Sequence, residues 1–274
     1  MAQFDLLRYV SLFPMHSDMS HGKISGGKGM SVTVIDREMT SSNLSTTFRR
    51  RRPGPEAELV DWFLEEWPVK APRGCRITVF REPRLESGFP DLVLVIWNVQ
   101  AAKRWNPVRA SLTHQHIRLM QFIFGAGSVS HKCLTEVFSK KISKYLSRLE
   151  EAEMVQKTGD TWATIDLSKS FATRNIVAVE AKMSEWAVAL EQAFLNTWFA
   201  SSSYVLVPHV PKRSGFLKTA VSRGVGVWAQ AETGKSQTIP QSGKLPVSYA
   251  SWLFNEWACQ HALDANELDS GIPR

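Results

Sequence analysis

Apolar residues recur along this chain with two different periods, and each period predicts one kind of element. The helical period is clearest after Pro55, where Glu56 and Glu58 occupy a first turn that favours carboxylates. The apolar positions that follow are spaced by three and four residues, and they are Leu59, Val60, Phe63, Leu64 and Trp67. This spacing predicts a helix that begins at Pro55.

Short apolar segments bounded by polar residues and breakers predict strands. They lie at residues 77–80, directly after Pro90, and at 175–182, 203–208 and 225–228. A helical pattern at residues 184–200 separates the third segment from the fourth. The resulting order is α, β, β, a long interruption, β, α, β, and it predicts an α/β chain.

The interruption, residues 112–166, has a pattern of its own. It predicts a helix that begins after Thr113, a second near 131–138, a third over 139–151, and a hairpin that turns at residues 158–160. Three helices followed by a β-wing predict a winged helix-turn-helix. The third helix is amphipathic, because Ile142, Leu146 and Leu149 share one face while Lys141, Lys144 and Arg148 share another.

Charge makes this interruption a candidate for binding DNA. The chain carries a formal net charge of +7, and nine of its Lys and Arg residues lie between 101 and 148 against the single acid Glu136. The candidates for contact with a phosphate backbone are Lys140, Lys141, Lys144 and Arg148 on the third helix and Lys157 on the wing. Trp162 on the wing is either a core residue or a side chain that stacks on nucleic acid.

These patterns divide the chain into four parts. Residues 1–47 are predicted to be a tail, residues 101–170 an inserted winged-helix domain, and residues 233–274 a C-terminal helical extension. Residues 48–100 and 171–232 then form one discontinuous α/β domain. The C-terminal helix could pack on the core of the α/β domain. Alternatively, a homodimer or a protein partner could use the winged helix or the C-terminal helix.

Cysteine usage and hydropathy indicate where the protein works. The three cysteines are far apart, and no apolar run reaches the roughly eighteen residues that a membrane-spanning helix needs. The sequence therefore predicts a soluble, cytoplasmic protein with no membrane partner.

Candidate chemistry lies at the ends of the predicted strands. Glu180 and Lys182 should share one face of their strand, with Ala181 on the other, and Asp91 opens a neighbouring strand directly after Pro90. Two carboxylates at that spacing can hold Mg²⁺, and a lysine beside them can orient a water for attack on phosphorus. Glu180 and Lys182 could instead be an edge-strand ion pair.

At these positions the chain resembles the PD-(D/E)xK nuclease superfamily, and its local motifs look like those of archaeal Holliday-junction resolvases. Pro90-Asp91 matches the first half of the signature and Glu180-Ala181-Lys182 the second. The resemblance implies a restriction-endonuclease-like mixed central sheet flanked by helices, with the winged helix inserted between the two halves. The stretch over 142–162 also resembles the end of a winged-helix domain, with Glu153 where a glycine often ends the helix.

The resemblance also implies roles for individual residues. Asp91 and Glu180 would bind Mg²⁺ or Mn²⁺, Lys182 would act on the attacking water, and the Ala181 carbonyl would join the metal shell. Glu56 would add a metal or water ligand, although it is equally well explained as a first-turn acid. Gln192 matches a glutamine that many members keep, and is otherwise a surface residue. Asn196 stands where some members have a tyrosine.

The sequence thus predicts a metal-dependent DNA endonuclease that hydrolyses phosphodiester bonds and uses a winged helix to recognise DNA. Phage defence, mobile-element processing and repair are all compatible with that activity. The alternative is a catalytically silent DNA-binding regulator that keeps the nuclease scaffold.

Overall fold

A computed structural model gives the fold of the chain. It describes residues 32–36, 43–50, 52–66, 71–86, 88–138, 141–211, 215–230, 236–238 and 244–264. Lys140 and Trp67, both named by the sequence patterns, lie outside the described residues.

The helices and strands alternate irregularly along the chain. In order they are β1 Val32–Ile35, α1 Pro55–Glu66, β2 Cys75–Arg81, β3 Leu92–Asn98, α2 Val99–Lys103, a 3-10 helix Pro107–Ser111, α3 His114–Ala126, β4 Ser128–Ser130, α4 His131–Phe138, α5 Ile142–Glu151, β5 Val155–Thr158, β6 Thr161–Thr164, α6 Leu167–Ser170, β7 Thr173–Ala181, α7 Trp186–Asn196, β8 Ser202–Val207, α8 Phe216–Ser222, β9 Val225–Ala229, β10 Ser236–Thr238 and α9 Tyr249–Asp264.

A mixed seven-stranded sheet forms the centre of the molecule, with the strand order β1-β2-β3-β7-β8-β9-β10. β7, β8 and β9 run parallel to one another, as do β1 and β2, whereas β3 is antiparallel to both of its neighbours. The structure therefore confirms an α/β fold with a mixed central sheet. It also confirms each of the five strands predicted from the apolar segments.

Helices cover both faces of the sheet, and this explains why β3 is a continuous apolar run. Leu92 and Leu94 face α1, where they pack with Leu59 and Phe63. The alternate residues of β3, Val93 among them, belong to a second core that includes α9. A strand buried on both faces reads as continuously apolar rather than alternating.

The unit between β3 and β7 contains the three predicted helices and the predicted hairpin. Its strands form a separate antiparallel sheet in the order β4-β6-β5, against which α3 packs. The apolar face predicted for α5 is buried at Ile142, Leu146 and Leu149.

The end of α5 has the backbone geometry that usually requires glycine. Glu153 has φ 54°, and the amides of Glu153 and Met154 donate to the carbonyls of Glu150 and Leu149 at 2.9 Å each. These two hydrogen bonds form a Schellman motif. The motif is therefore kept without the glycine, at the cost of a left-handed glutamate.

Two predicted domain boundaries differ from the structure. The tail predicted for residues 1–47 includes β1, which pairs with β2, and the extension predicted for 233–274 includes β10 and the helix α9. α9 lies inside the molecule, since its residues from 250 to 260 are all buried. A dimer formed through this part of α9 is therefore excluded, because the helix has no exposed face there.

α9 connects the sheet to the inserted unit. It packs against β3 and β7 on one side and against α3 on the other. One continuous apolar core consequently runs from Phe80 in the sheet through Trp257 of α9 to Leu146 of α5. Among the described helices, none is both long enough and apolar enough to cross a membrane.

Candidate functional site

The two acids of the candidate site lie side by side where β3 begins and β7 ends. The antiparallel register pairs Leu92 with Val179, so the next positions along the two strands are Asp91 and Glu180. Cross-strand neighbours point to the same face of a sheet with their Cβ atoms roughly 5 Å apart. The adjacency predicted for these residues is therefore present, although ninety residues separate them in sequence.

Hydrogen bonds hold both carboxylates in place. The backbone N–H of Ala181 donates to Asp91 Oδ2 at 2.7 Å, and the Asn196 side-chain amide donates to Glu180 Oε1 at 2.6 Å. Asn196 is itself buried in α7. Each acid is thus fixed by one strong donor from a rigid element.

Burial makes the charge of this pair unfavourable. Burial raises the pKa of Asp91 to about 6, and the hydrogen bond from Ala181 lowers it only in part. Burial and then the neighbouring charge of Asp91 raise the pKa of Glu180 to about 8.

The positive charge of Lys182 lies directly after the end of the central strand β7. β7 ends at Ala181, and Lys182 Nζ forms an ion pair with Glu56 Oε2 at 3.3 Å. The Lys182 charge lowers the pKa of both Asp91 and Glu180, but less than burial raises it. The predicted shared face of Glu180 and Lys182 is therefore modified, because Lys182 reaches the helix on the opposite side of the sheet.

Glu56 does not join the two acids as the resemblance implied. It lies at the start of α1, and α1 packs on the sheet face opposite to Asp91 and Glu180. Within the described residues, no group of three or more His, Cys, Asp or Glu is placed to hold a metal ion. Glu56 instead binds Lys182 and thereby fixes the position of the ammonium group.

The remaining pair still fits a divalent cation of the magnesium type. Two carboxylates that are raised in pKa by burial and by each other need positive charge in order to ionise. Mg²⁺ is commonly bound by one or two carboxylates, with the rest of its shell supplied by water and substrate phosphates. Asp91, Glu180 and the carbonyl of Ala181 are the groups that would hold it here.

Gln192 is not the α7 residue that contacts the acids. It lies on the exposed side of the helix, whereas Asn196, one turn later, donates to Glu180. Asn196 lies sixteen residues after Glu180, on the helix that follows the strand. The sequence does not identify it as a contact of Glu180, because the contact depends on how α7 packs against the sheet.

Arg49 is a second residue that the sequence did not assign to the site. Its charge lowers the pKa of Glu180, its Nε lies 3.6 Å from Glu82 Oε2, and its guanidinium lies over the Phe89 ring at 4.7 Å. In sequence it belongs to a run of four arginines, residues 49–52, that is typical of a solvated linker. Only the fold brings it to the acid pair.

The predicted phosphate contacts of the inserted unit are accessible where they are described. Lys141, Lys144 and Lys157 are exposed, and Arg148 forms an exposed ion pair with Glu151 at 3.0 Å. An exposed pair of this kind contributes little and leaves the guanidinium available.

Two further side chains of this unit are buried. Trp162 donates through its indole N–H to His131 Nδ1 at 3.3 Å and belongs to the apolar core, which favours the core alternative over stacking on nucleic acid. Arg109, counted among the basic residues of the unit, is buried in an ion pair with Glu256 of α9. Its charge is therefore neutralised inside the protein.

Comparisons with protein-family models, with curated proteins and with solved structures found no match for this chain.

Proposed function

We propose that this chain is a metal-dependent DNA endonuclease of the PD-(D/E)xK type. The proposal takes the central sheet as restriction-endonuclease-like and the unit between β3 and β7 as a winged helix that binds DNA. The observation that supports it most is the pairing of Asp91 with Glu180 on adjacent strands, with Lys182 at the same edge. Burying two acids together lowers stability, and acids with strongly raised pKa values are found most often at functional sites.

Asp91, Glu180 and the Ala181 carbonyl would hold Mg²⁺ or Mn²⁺. When bound, the ion supplies positive charge that stabilises the charge developing on the phosphoryl oxygens during hydrolysis. Ala181 N–H and Asn196 each hold one of the two carboxylates in place. Because those donors are part of β7 and α7, the geometry does not depend on a flexible loop.

Lys182 would orient the attacking water through its ammonium group. Its ion pair with Glu56 holds the side chain at the edge of the sheet, and the Glu56 carboxylate can accept the proton that leaves the water. Arg49, whose charge lowers the pKa of Glu180, would contact a phosphate beside the cleaved bond. In this scheme Arg49 would contact the phosphate, Lys182 would orient the water, and Glu56 would accept the proton.

The first experiment measures cleavage. Wild-type protein should nick or cut DNA with Mg²⁺ or Mn²⁺, Asp91→Asn should abolish cleavage, and Lys182→Ala should slow it by on the order of 100-fold. Glu191→Gln, which neutralises an exposed acid on α7, is the control and should cut normally. A wild-type protein that binds duplex, single-stranded and branched DNA without cutting any of them would favour the silent regulator.

The second experiment measures metal binding without activity. At ten times its dissociation constant, Mg²⁺ should stabilise the wild type by about 1.4 kcal/mol. For a chain of this size that corresponds to a rise in Tm of roughly 3–5 °C. Glu180→Gln should lose the effect, and an equal rise in this variant would place the ion elsewhere.

The third experiment concerns the inserted unit. Each phosphate neutralised on duplex DNA changes the slope of log affinity against log salt by about 0.9. Changing Lys141 and Lys144 together to Ala should therefore reduce the slope by about 1.8, while Lys218→Ala with Lys244→Ala, two exposed lysines outside the unit, should leave it nearly unchanged. An unchanged slope in the first double variant would mean that this face binds something other than DNA.

A further inference from the structure

A concave cavity of about 560 Å³ lies where the inserted unit joins the sheet. Both chain segments that connect the inserted unit to the sheet line this cavity. The first contributes the residues around Trp105, and the second contributes Lys169 and Arg174. It is distant from the acid pair, because Arg174 is near the start of β7 and Glu180 near its end. Six residues of strand separate the two by about 20 Å.

The wall of this junction cavity is strongly basic. Arg104, Lys169 and Arg174 line it with exposed side chains, and none of the three forms an ion pair within the part of the chain that is described. Glu153 is the one acid among the lining residues. Arg109 also lines the cavity, but Glu256 neutralises its charge. The side chains that line the cavity thus carry a net positive charge of about two.

Trp105 gives the cavity a rigid part of its lining. Trp105 is 9% exposed, and the Arg109 guanidinium stacks on its ring at 3.5 Å, so the indole is held in place. The side chains of the lining that can reach a ligand are therefore the exposed cations Arg104, Lys169 and Arg174.

We propose that this junction cavity binds a phosphoryl ligand, with Arg104, Lys169 and Arg174 as its cationic contacts. Arginine and lysine are the side chains that bind phosphate best. The volume is in the range of nucleotide-sized sites. The phosphates belong either to a nucleic-acid backbone or to a free nucleotide.

The inference does not rest on the nuclease proposal, because it uses none of the residues of the acid pair. A ligand in the cavity contacts both segments that connect the inserted unit to the sheet. Binding should therefore reduce the motion of one part relative to the other.

Isothermal titration at low salt tests the proposal with three probes, namely pyrophosphate, ATP and a short DNA duplex. The variant Lys169→Ala/Arg174→Ala should weaken binding of at least one probe by tenfold or more, since two charge-assisted contacts are lost. The charge-matched variant Lys218→Ala/Lys244→Ala removes two exposed lysines outside the inserted unit and should change that affinity less than twofold.

The probes identify the source of the phosphate. A loss confined to the duplex assigns the cavity to a nucleic-acid backbone, and a loss with pyrophosphate or ATP assigns it to a free nucleotide. Equal losses in the two double variants, or no binding of any probe by the wild type, would overturn the proposal.

Discussion

This molecule contains two pairs of buried ionisable side chains, and the two pairs differ in how their charge is compensated. Asp91 and Glu180 are two like charges with hydrogen-bond donors but without a cation in direct contact. Arg109 and Glu256 are opposite charges in direct contact, and both are almost fully buried, with side-chain exposures of 3% and 0%. The first group raises the pKa of its acids, whereas the second neutralises itself.

The Arg109–Glu256 pair is satisfied from several directions. Arg109 also donates to the Ser170 carbonyl at 2.8 Å, and the Asn255 amide donates to Glu256 at 3.2 Å. The polar residues of α9 thereby fix both segments that lead into the inserted unit. A buried charge with this many partners has a structural role, while a buried charge that lacks them is a candidate for binding or catalysis.

The largest expected effect is the loss of the satisfied pair. Glu256→Gln leaves the Arg109 guanidinium buried without a counter-charge, and the free energy of unfolding should fall by about 3–5 kcal/mol. Denaturant titration measures the change. The exposed pair of Arg223 with Glu191 has side-chain exposures of 37% and 59% and provides the control. Glu191→Gln should alter the free energy of unfolding by about 1 kcal/mol or less.

A double variant separates the charge from the packing. Arg109→Met with Glu256→Leu removes both charges, and it should recover most of the stability that Glu256→Gln loses. If the double variant is as unstable as the single one, the hydrogen bonds of Arg109 to Ser170 matter more than the ion pair.

At the candidate site, removing an acid should increase the free energy of unfolding rather than decrease it. An acid with a raised pKa binds more protons in the folded than in the unfolded state, so stability falls as pH rises from about 4.5 toward 8. Glu180→Gln removes that acid and should be more stable than the wild type by about 2 kcal/mol at pH 6, since each pH unit above the unfolded pKa contributes about 1.4 kcal/mol.

The measurement is the free energy of unfolding of both proteins at pH 4, 6 and 8 without divalent cations. The two curves should nearly meet at pH 4, where Glu180 is protonated in either state, and diverge as pH rises. Parallel curves would mean that the acid pair is better solvated than its burial indicates.

The smallest effect concerns the donor that orients Glu180. Asn196→Ala removes the hydrogen bond at 2.6 Å and should lower the free energy of unfolding by about 1 kcal/mol. It should also raise the pKa of Glu180 further, so that Mg²⁺ stabilises the variant only at higher pH than the wild type. Gln192→Ala, on the exposed side of the same helix, is the control for both measurements. A shift of equal size in the control would remove the distinction between Asn196 and Gln192.

Local pattern was sufficient for most of the elements. The apolar run after Pro90, the three- and four-residue spacing after Pro55, and the amphipathic face of α5 each predicted an element that the structure contains. These signals succeed because burial imposes the period of the element on the sequence. β1 and β10 were missed, since they are short strands of three or four residues at the edges of the sheet.

Both the sequence and the tertiary structure were needed to define the candidate site. The sequence pattern named Asp91, Glu180 and Lys182, because carboxylates and a lysine beside buried strands are unusual, and the family resemblance added Glu56. Tertiary structure decided how they meet, since the sheet face on which α1 packs sets whether Glu56 joins the acids or Lys182. The same holds for Asn196 and Arg49, whose positions depend on how a helix and a distant segment pack.

The sequence by itself thus determined most of the strands and helices and the position of Asp91 and Glu180 beside buried strands. Tertiary structure alone decided which of those charges are neutralised. Arg109 and Glu256 are 147 positions apart and meet only because α9 enters the core. Partners so distant along the chain have no spacing rule, because their contact is fixed by the packing of whole elements rather than by any local period.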